Sequence, residues 1–290
     1  MSKGLKVHLL IIDPQNDFMG NDDGTPLVET LGTSRVRTAA LPVKGAVSDM
    51  KRAAKMIDRI GHKLDDIKVT LDSHRRIGIE RPGYWMNAKG KQPAPFTIIS
   101  VSDIEAGIWT PRHPGLRARA LAYAKALEAG GLYPLMIWTN HCEIGTWGHN
   151  VQDDLNDALQ RWSEKEFASV DYVTKGSNPH TEHFGALMAE VPDPDDPSTQ
   201  LNTSVLESLA EADIIGALGE ASSHCLLTTM NQIAKNIGSE HLNKFALITD
   251  CMSPVGAVPN GPDFPAIADA WQKDMQKLGM TLITSTDFLT

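Results

Sequence analysis

The sequence is short of several features, and each shortage excludes something. It has three cysteines, Cys142, Cys225 and Cys251, in 290 residues. That is too few and too scattered for a disulfide framework or a zinc ribbon. It leaves room for one reactive thiol among inert buried ones. No apolar run approaches the ~20 residues needed to cross a bilayer. No cluster of Lys and Arg offsets the formal net charge of −9, which argues against a phosphate backbone as the main partner. Internal repeats and low-complexity tracts are lacking as well. The opening "MSKGLKVHLL" runs straight into a strand-like segment, with no h-region or small-residue cleavage site. The expectation is therefore a cytoplasmic protein that binds neither membrane nor nucleic acid.

What is present is an alternation of short apolar runs with helix-period segments. "VHLLII" (7–12), "DIKVTL" (66–71), "YPLMIWTN" (133–140), "VDYVTK" (170–175), "DIIGALG" (213–219) and "KFALITD" (244–250) read as strands. Helical periodicity marks residues 47–61, 115–131, 150–166, 225–238 and the stretch beginning "FPAIADAW". This alternation predicts an α/β protein with a three-layer αβα build. Its six-stranded, mostly parallel sheet would carry helices on both faces, in a Rossmann-like arrangement. One domain over 1–290 is expected, with a long aperiodic insertion at about 75–114 that covers a site or forms an interface.

Ligands of an open parallel sheet bind beyond the carboxyl ends of its strands. At those ends stand Asp13, Asp72 with His74, His141, Lys175, and the turn "GEASSHC" that leads to Cys225. Cys225 opens a helix, where the dipole and free N–H groups favour a thiolate and can hold an oxyanion. It reads equally as a small buried residue. Asp13 fits a base for that thiol, or a turn residue before proline. Lys175 fits a cation beside the pair, or a surface lysine. Asp72, His74 and His141 form a donor set suited to a divalent metal, or a hydrogen-bonded cluster at a strand end. Cys142 and His224 adjoin candidate residues but are expected to face elsewhere.

Five motifs in order carry a resemblance: "IIDPQNDF", "LDSH", "WTNHCEIGTWG", "VTKG" and "GEASSHCL". With "MTLITSTDFL" near the C-terminus, the chain resembles the isochorismatase-like cysteine hydrolases, and among them the nicotinamidases. The resemblance implies that fold and a catalytic set of Asp13, Lys175 and Cys225. It implies a cis peptide at Ala221–Ser222 and an oxyanion hole from the N–H groups of Ala221 and Cys225. Phe18 and Trp138 fall where the family clamps an aromatic substrate. A divalent metal, with zinc expected and iron or manganese as alternatives, would be held by Asp72, His74 and His141, with Glu80 a further candidate ligand. The activity implied is conversion of nicotinamide, or a close aromatic carboxamide, to the acid and ammonia through a thioester. A homo-oligomer and a place in NAD salvage go with it. Two other readings stand beside this one. The same three catalytic residues could serve a carbamoyl or ureido substrate, or the protein could bind a small ligand without catalysis. The family's "W-P" is "WT" here, and the insertion is longer than in short nicotinamidases.

Overall fold

The computed structural model describes residues 4–32, 35–130, 133–257 and 262–290. At its centre lies β1 (Val7–Ile12), every residue of which is buried. It pairs in parallel with β2 (Asp66–Asp72) on one side and β4 (Ile214–Gly219) on the other. β3 (Asp171–Lys175) lies beyond β2, and β5 (Phe245–Ile248) and β6 (Thr281–Ile283) lie beyond β4. The order is β6-β5-β4-β1-β2-β3, and every pairing is parallel. Strands covered on both faces have no polar alternation, so β1 and β4 read as continuous apolar runs. Burying each Leu or Ile of β1 contributes roughly 1.5–3 kcal/mol over exposure.

Six helices connect or flank these strands: α1 (Ala46–Ile60), α2 (Arg117–Gly130), α3 (Asp153–Glu166), α4 (Thr203–Ala210), α5 (Cys225–Asn236) and α6 (Phe264–Lys277). The six strands expected are not quite the six found. Residues 133–140 do not join the sheet. Pro134 has no N–H to give, and the donors that follow are used elsewhere. Ile137 N–H donates to Thr97 O at 2.9 Å and Trp138 N–H to Glu80 O at 2.9 Å. The sixth place is taken by β6, near the C-terminus.

The insertion is ordered around its own apolar cluster. Ile79, Tyr84, Trp85, Ile99 and Ile104 pack with Tyr123, Ala124 and Leu127 of α2 and with Leu135 and Ile137. It also reaches the strand ends, where Glu80 and Arg81 are buried beside His74 and His141. Among the described residues no helix is long and apolar enough to cross a membrane.

Candidate active site

The strand order reverses at β1, between β2 and β4, and this is the crevice where open α/β sheets place their ligands. Asp13 follows β1 with φ +43°, a left-handed conformation that Asp tolerates better than most residues. Its N–H donates to Thr70 Oγ1 at 3.0 Å, and the Thr70 hydroxyl donates back to Asp13 Oδ1 at 2.6 Å. That fixes one carboxylate oxygen and directs the other at Lys175, 2.8 Å away. The ion pair is close but poorly directed for a hydrogen bond, so Oδ2 keeps a lone pair for a proton. Lys175 ends β3 in register with Asp72 of β2. Its ammonium lies 2.9 Å from Asp72 Oδ1, 3.5 Å from Cys225 Sγ, and donates to His183 O at 3.1 Å. Asp13, Lys175 and Cys225 thus converge, all buried.

Burial raises the Asp13 carboxyl, and Lys175 opposes it. Burial works against the Lys175 ammonium, but Asp13, Asp72 and Cys225 outweigh it and hold its pKa well above the usual range. Burial also pushes the Cys225 thiol well up, with Lys175 pulling the other way and Asp13 and Asp72 adding to the rise. Burial thus favours the thiol over the thiolate that its helix-end position suggests. The helix end favours charge, but the desolvated carboxylates beside it weigh more.

Gly219 ends β4 with φ +117°, and a Cβ there would lie 2.1 Å from Ile12 O. The reversal thus begins at Gly219, and the cis peptide is Glu220–Ala221, one residue earlier than the expected Ala221–Ser222. The turn is tied down at Gly219 N–H to Cys251 O (3.0 Å), Glu220 N–H to Ile12 O (2.8 Å) and Ser222 N–H to Ser253 O (2.9 Å). Outside the helices, the N–H groups of Ala221 and Cys225 donate to no acceptor among the described residues. Both residues line the pocket, a space of about 410 Å³ that Phe18, Trp138, His183, Phe184 and His224 also enclose. His224 therefore faces the pocket, contrary to expectation. Burial lowers its pKa to about 3, which makes it a poor base. Cys142 is buried as expected, but no strand alternation puts it there. It adopts φ +50° and donates its N–H to Asp17 Oδ2 at 2.7 Å.

On the far side of Lys175, donor atoms of Asp72, His74 and His141 lie within 4.8 Å of one another, all buried. Asp72 Oδ2 is 2.7 Å from His74 Nε2 and 3.2 Å from His141 Nε2. The set fits a divalent metal: one carboxylate oxygen and two imidazole nitrogens converge. His141 Nδ1 has Thr139 O at 3.1 Å to accept its proton, which would free Nε2 for ligation. Burial, then Arg81, lowers the His141 pKa to about 3 and keeps the ring neutral. Glu80 stands behind this set, with Oε1 3.2 Å from His74 Nδ1 and 3.1 Å from Arg81 Nε. Arg81 Nη1 also lies 2.9 Å from His141 Nδ1, and because a guanidinium only donates, that contact and the Thr139 contact belong to different tautomers of the ring. Sequence reasoning missed Arg81, Glu182 and His183, which lie in no motif, and Glu220, whose neighbour Asp49 lies in none.

No protein-family model matches the chain, and no curated protein matches it in sequence. Solved structures do match. The chain is similar to the Acinetobacter baumanii nicotinamidase and pyrazinamidase at 19% identity, over 99% of this chain and 100% of that one, with a TM-score of 0.56. It is similar to the yeast nicotinamidase at 17% identity, over 96% and 99%, with a TM-score of 0.58. It is also similar to the Pyrococcus horikoshii pyrazinamidase, determined in complex with zinc, at 14% identity, over 96% and 99%, with a TM-score of 0.51. The fold is that of an α/β protein with a parallel six-stranded sheet and a switch point at β1. More narrowly, it is the isochorismatase-like fold, which the chain shares with those nicotinamidase and pyrazinamidase structures.

Proposed function

We propose that this protein is a cysteine-dependent C–N amide hydrolase acting on nicotinamide or a close aromatic carboxamide. One observation carries the reading: a buried ammonium in contact with both a buried thiol and a buried carboxylate, beside a pocket walled by Phe18 and Trp138. Asp13 takes the thiol proton of Cys225, and Lys175 offsets the negative charge. Sγ then bonds to the carboxamide carbon, and the carbonyl electron pair moves onto oxygen, within reach of the Ala221 and Cys225 N–H groups. Collapse re-forms the carbonyl, breaks the C–N bond and passes the Asp13 proton to the leaving nitrogen. Ammonia departs and a thioester remains. Asp13 next deprotonates a water that adds to the thioester, and the acid leaves as Cys225 regains its proton. Asp72, His74 and His141 would hold a divalent metal, zinc first by donor type, that supplies a Lewis acid for a ring nitrogen. Cytoplasmic residence and a place in NAD salvage go with this reading.

The test is ammonia release from a carboxamide panel headed by nicotinamide, with carbamoyl and ureido compounds included. Cys225→Ala is expected to lower kcat by about 10³-fold or more. Wild-type turnover by that variant would remove Cys225 from the reaction. A preference for ureido compounds would move the substrate assignment.

A further inference from the structure

Glu220 is the second residue of the nucleophile turn, directly before Ala221, and its side chain is fully buried behind the pocket. Asp49 of α1, also buried, shares Ser253 with it as a hydrogen-bond donor. Two ionised carboxylates only accept hydrogen bonds, so two of them gathered on one buried serine repel unless one keeps its proton. The remaining contacts agree. Asp49 Oδ2 accepts from Ser253 Oγ at 2.6 Å, Asp49 Oδ1 accepts from Arg52, and Glu220 Oε2 accepts from Ser253 N–H at 3.3 Å. Glu220 Oε1 has no hydrogen-bond partner among the described residues, as suits an oxygen that carries a proton for a second acid. The groups packed around the pair are Arg52 of α1, with Asp250, Cys251 and Ser253 after β5. Asp250 is itself engaged by Ser285, whose N–H and hydroxyl donate to it at 2.6 and 2.7 Å. One guanidinium therefore stands against two buried acids, which leaves charge balance only if one acid stays protonated. Burial and Asp49 hold Glu220 well above the ordinary carboxyl range, in accord with this count.

We propose that Glu220 and Asp49 share one proton and act as a positioning pair, clamping the turn that presents the Ala221 N–H and Cys225 to the pocket. The inference rests on the amidohydrolase reading for its kinetic consequences only. The clamp joins α1 and the 250–253 segment to the back of the turn. Losing the shared proton at alkaline pH sets two anions against each other and releases it. Deprotonation therefore gives kcat an alkaline limb while leaving KM, which the Phe18 and Trp138 walls govern, nearly unchanged.

Three measurements test it on the full-length protein. Infrared difference spectra between wild type and Glu220→Gln at neutral pH should show loss of a protonated-carboxyl band. An unchanged band overturns the shared proton. Glu220→Leu should lower kcat by about tenfold or more with KM within about threefold. Glu220→Gln, whose amide can still donate to Asp49, should recover most of that loss and lack the alkaline limb. Equal kcat in the Leu variant and wild type, or an identical alkaline limb in the Gln variant, overturns the positioning role. The third measurement is the rate at which iodoacetamide labels Cys225, which should change at least fivefold in Leu and less than twofold in Gln, on the order expected for a displaced thiol. Identical rates in all three proteins overturn the clamp. If wild type hydrolyses no amide at all, the function reading fails, and the infrared and labelling results still decide the pair. Should the Leu variant not fold, the Gln variant alone carries the spectral and pH tests.

Discussion

Glu182 and His183 add polar groups to a pocket that Asp72, His141, His224 and Cys225 also line. His183 Nδ1 accepts the Gly176 N–H at 3.3 Å, so Nε2 carries the ring proton, and it has no partner among the described residues. Burial, then Lys175, lowers its pKa to about 3, so it acts as a neutral donor. Glu182 is buried beside it, and burial, then Glu80, raises its pKa from 4.5 to about 8. At neutral pH it is a carboxylic acid, able to donate as well as accept. The sign of its effect on stability follows. A carboxyl raised on folding gives a contribution that is whole below about pH 4.5 and is lost as pH rises through about 8. Between those values the melting temperature of wild type should fall more steeply than that of Glu182→Gln. Parallel curves would mean that Glu182 is ionised in the folded protein.

The elements that hold the site are the ends of β1, β2, β3 and β4 and the start of α5. Gly219 is the position where they are least tolerant. Any Cβ there meets the backbone of Ile12, and φ is +117°, so neither a rotamer change nor a side-chain shift relieves it. Gly219→Ala should destabilise by at least about 3 kcal/mol in denaturant unfolding. A loss under about 1 kcal/mol would show that the turn can relax. The positions of the other strand ends were legible because Asp13, Asp72, Lys175 and Cys225 each follow a short apolar run. Residues 133–140 misled for a physical reason. An apolar, β-favouring run says that a segment pairs, not with what, and this one pairs with the insertion. The turn geometry was readable to within one residue. The gathering of Glu220 and Asp49 on Ser253 was not, because they lie far apart in sequence and no local pattern announces a buried acid pair.

At the scale of the molecule, the sheet order fixes where function can be. The reversal at β1 opens one crevice, and the insertion extends to its rim through Glu80 and Arg81 while Phe96 packs edge-on against Trp138. The resemblance carried this architecture from five short motifs, and the solved structures agree with it at the level of fold. It could not carry the insertion, whose packing depends on α2. The donor set beside the crevice also has a measurable consequence. Equilibrium dialysis against zinc should give about one ion per chain, and His74→Ala should lose it, since two remaining ligands seldom retain a structural or catalytic ion. Unchanged stoichiometry in that variant would place the ion elsewhere.

Asp72 divides its two oxygens, one to Lys175 and the other to His74 and His141. The nucleophile's ion pair and the donor set therefore share a wall one carboxylate thick. Damage on one side is not independent of damage on the other. Lys175→Met and His74→Ala, which lie too close to behave as separate sites, should be non-additive in unfolding free energy by about 0.5–3 kcal/mol. Simple additivity in that cycle would show that the carboxylate insulates the two halves rather than coupling them.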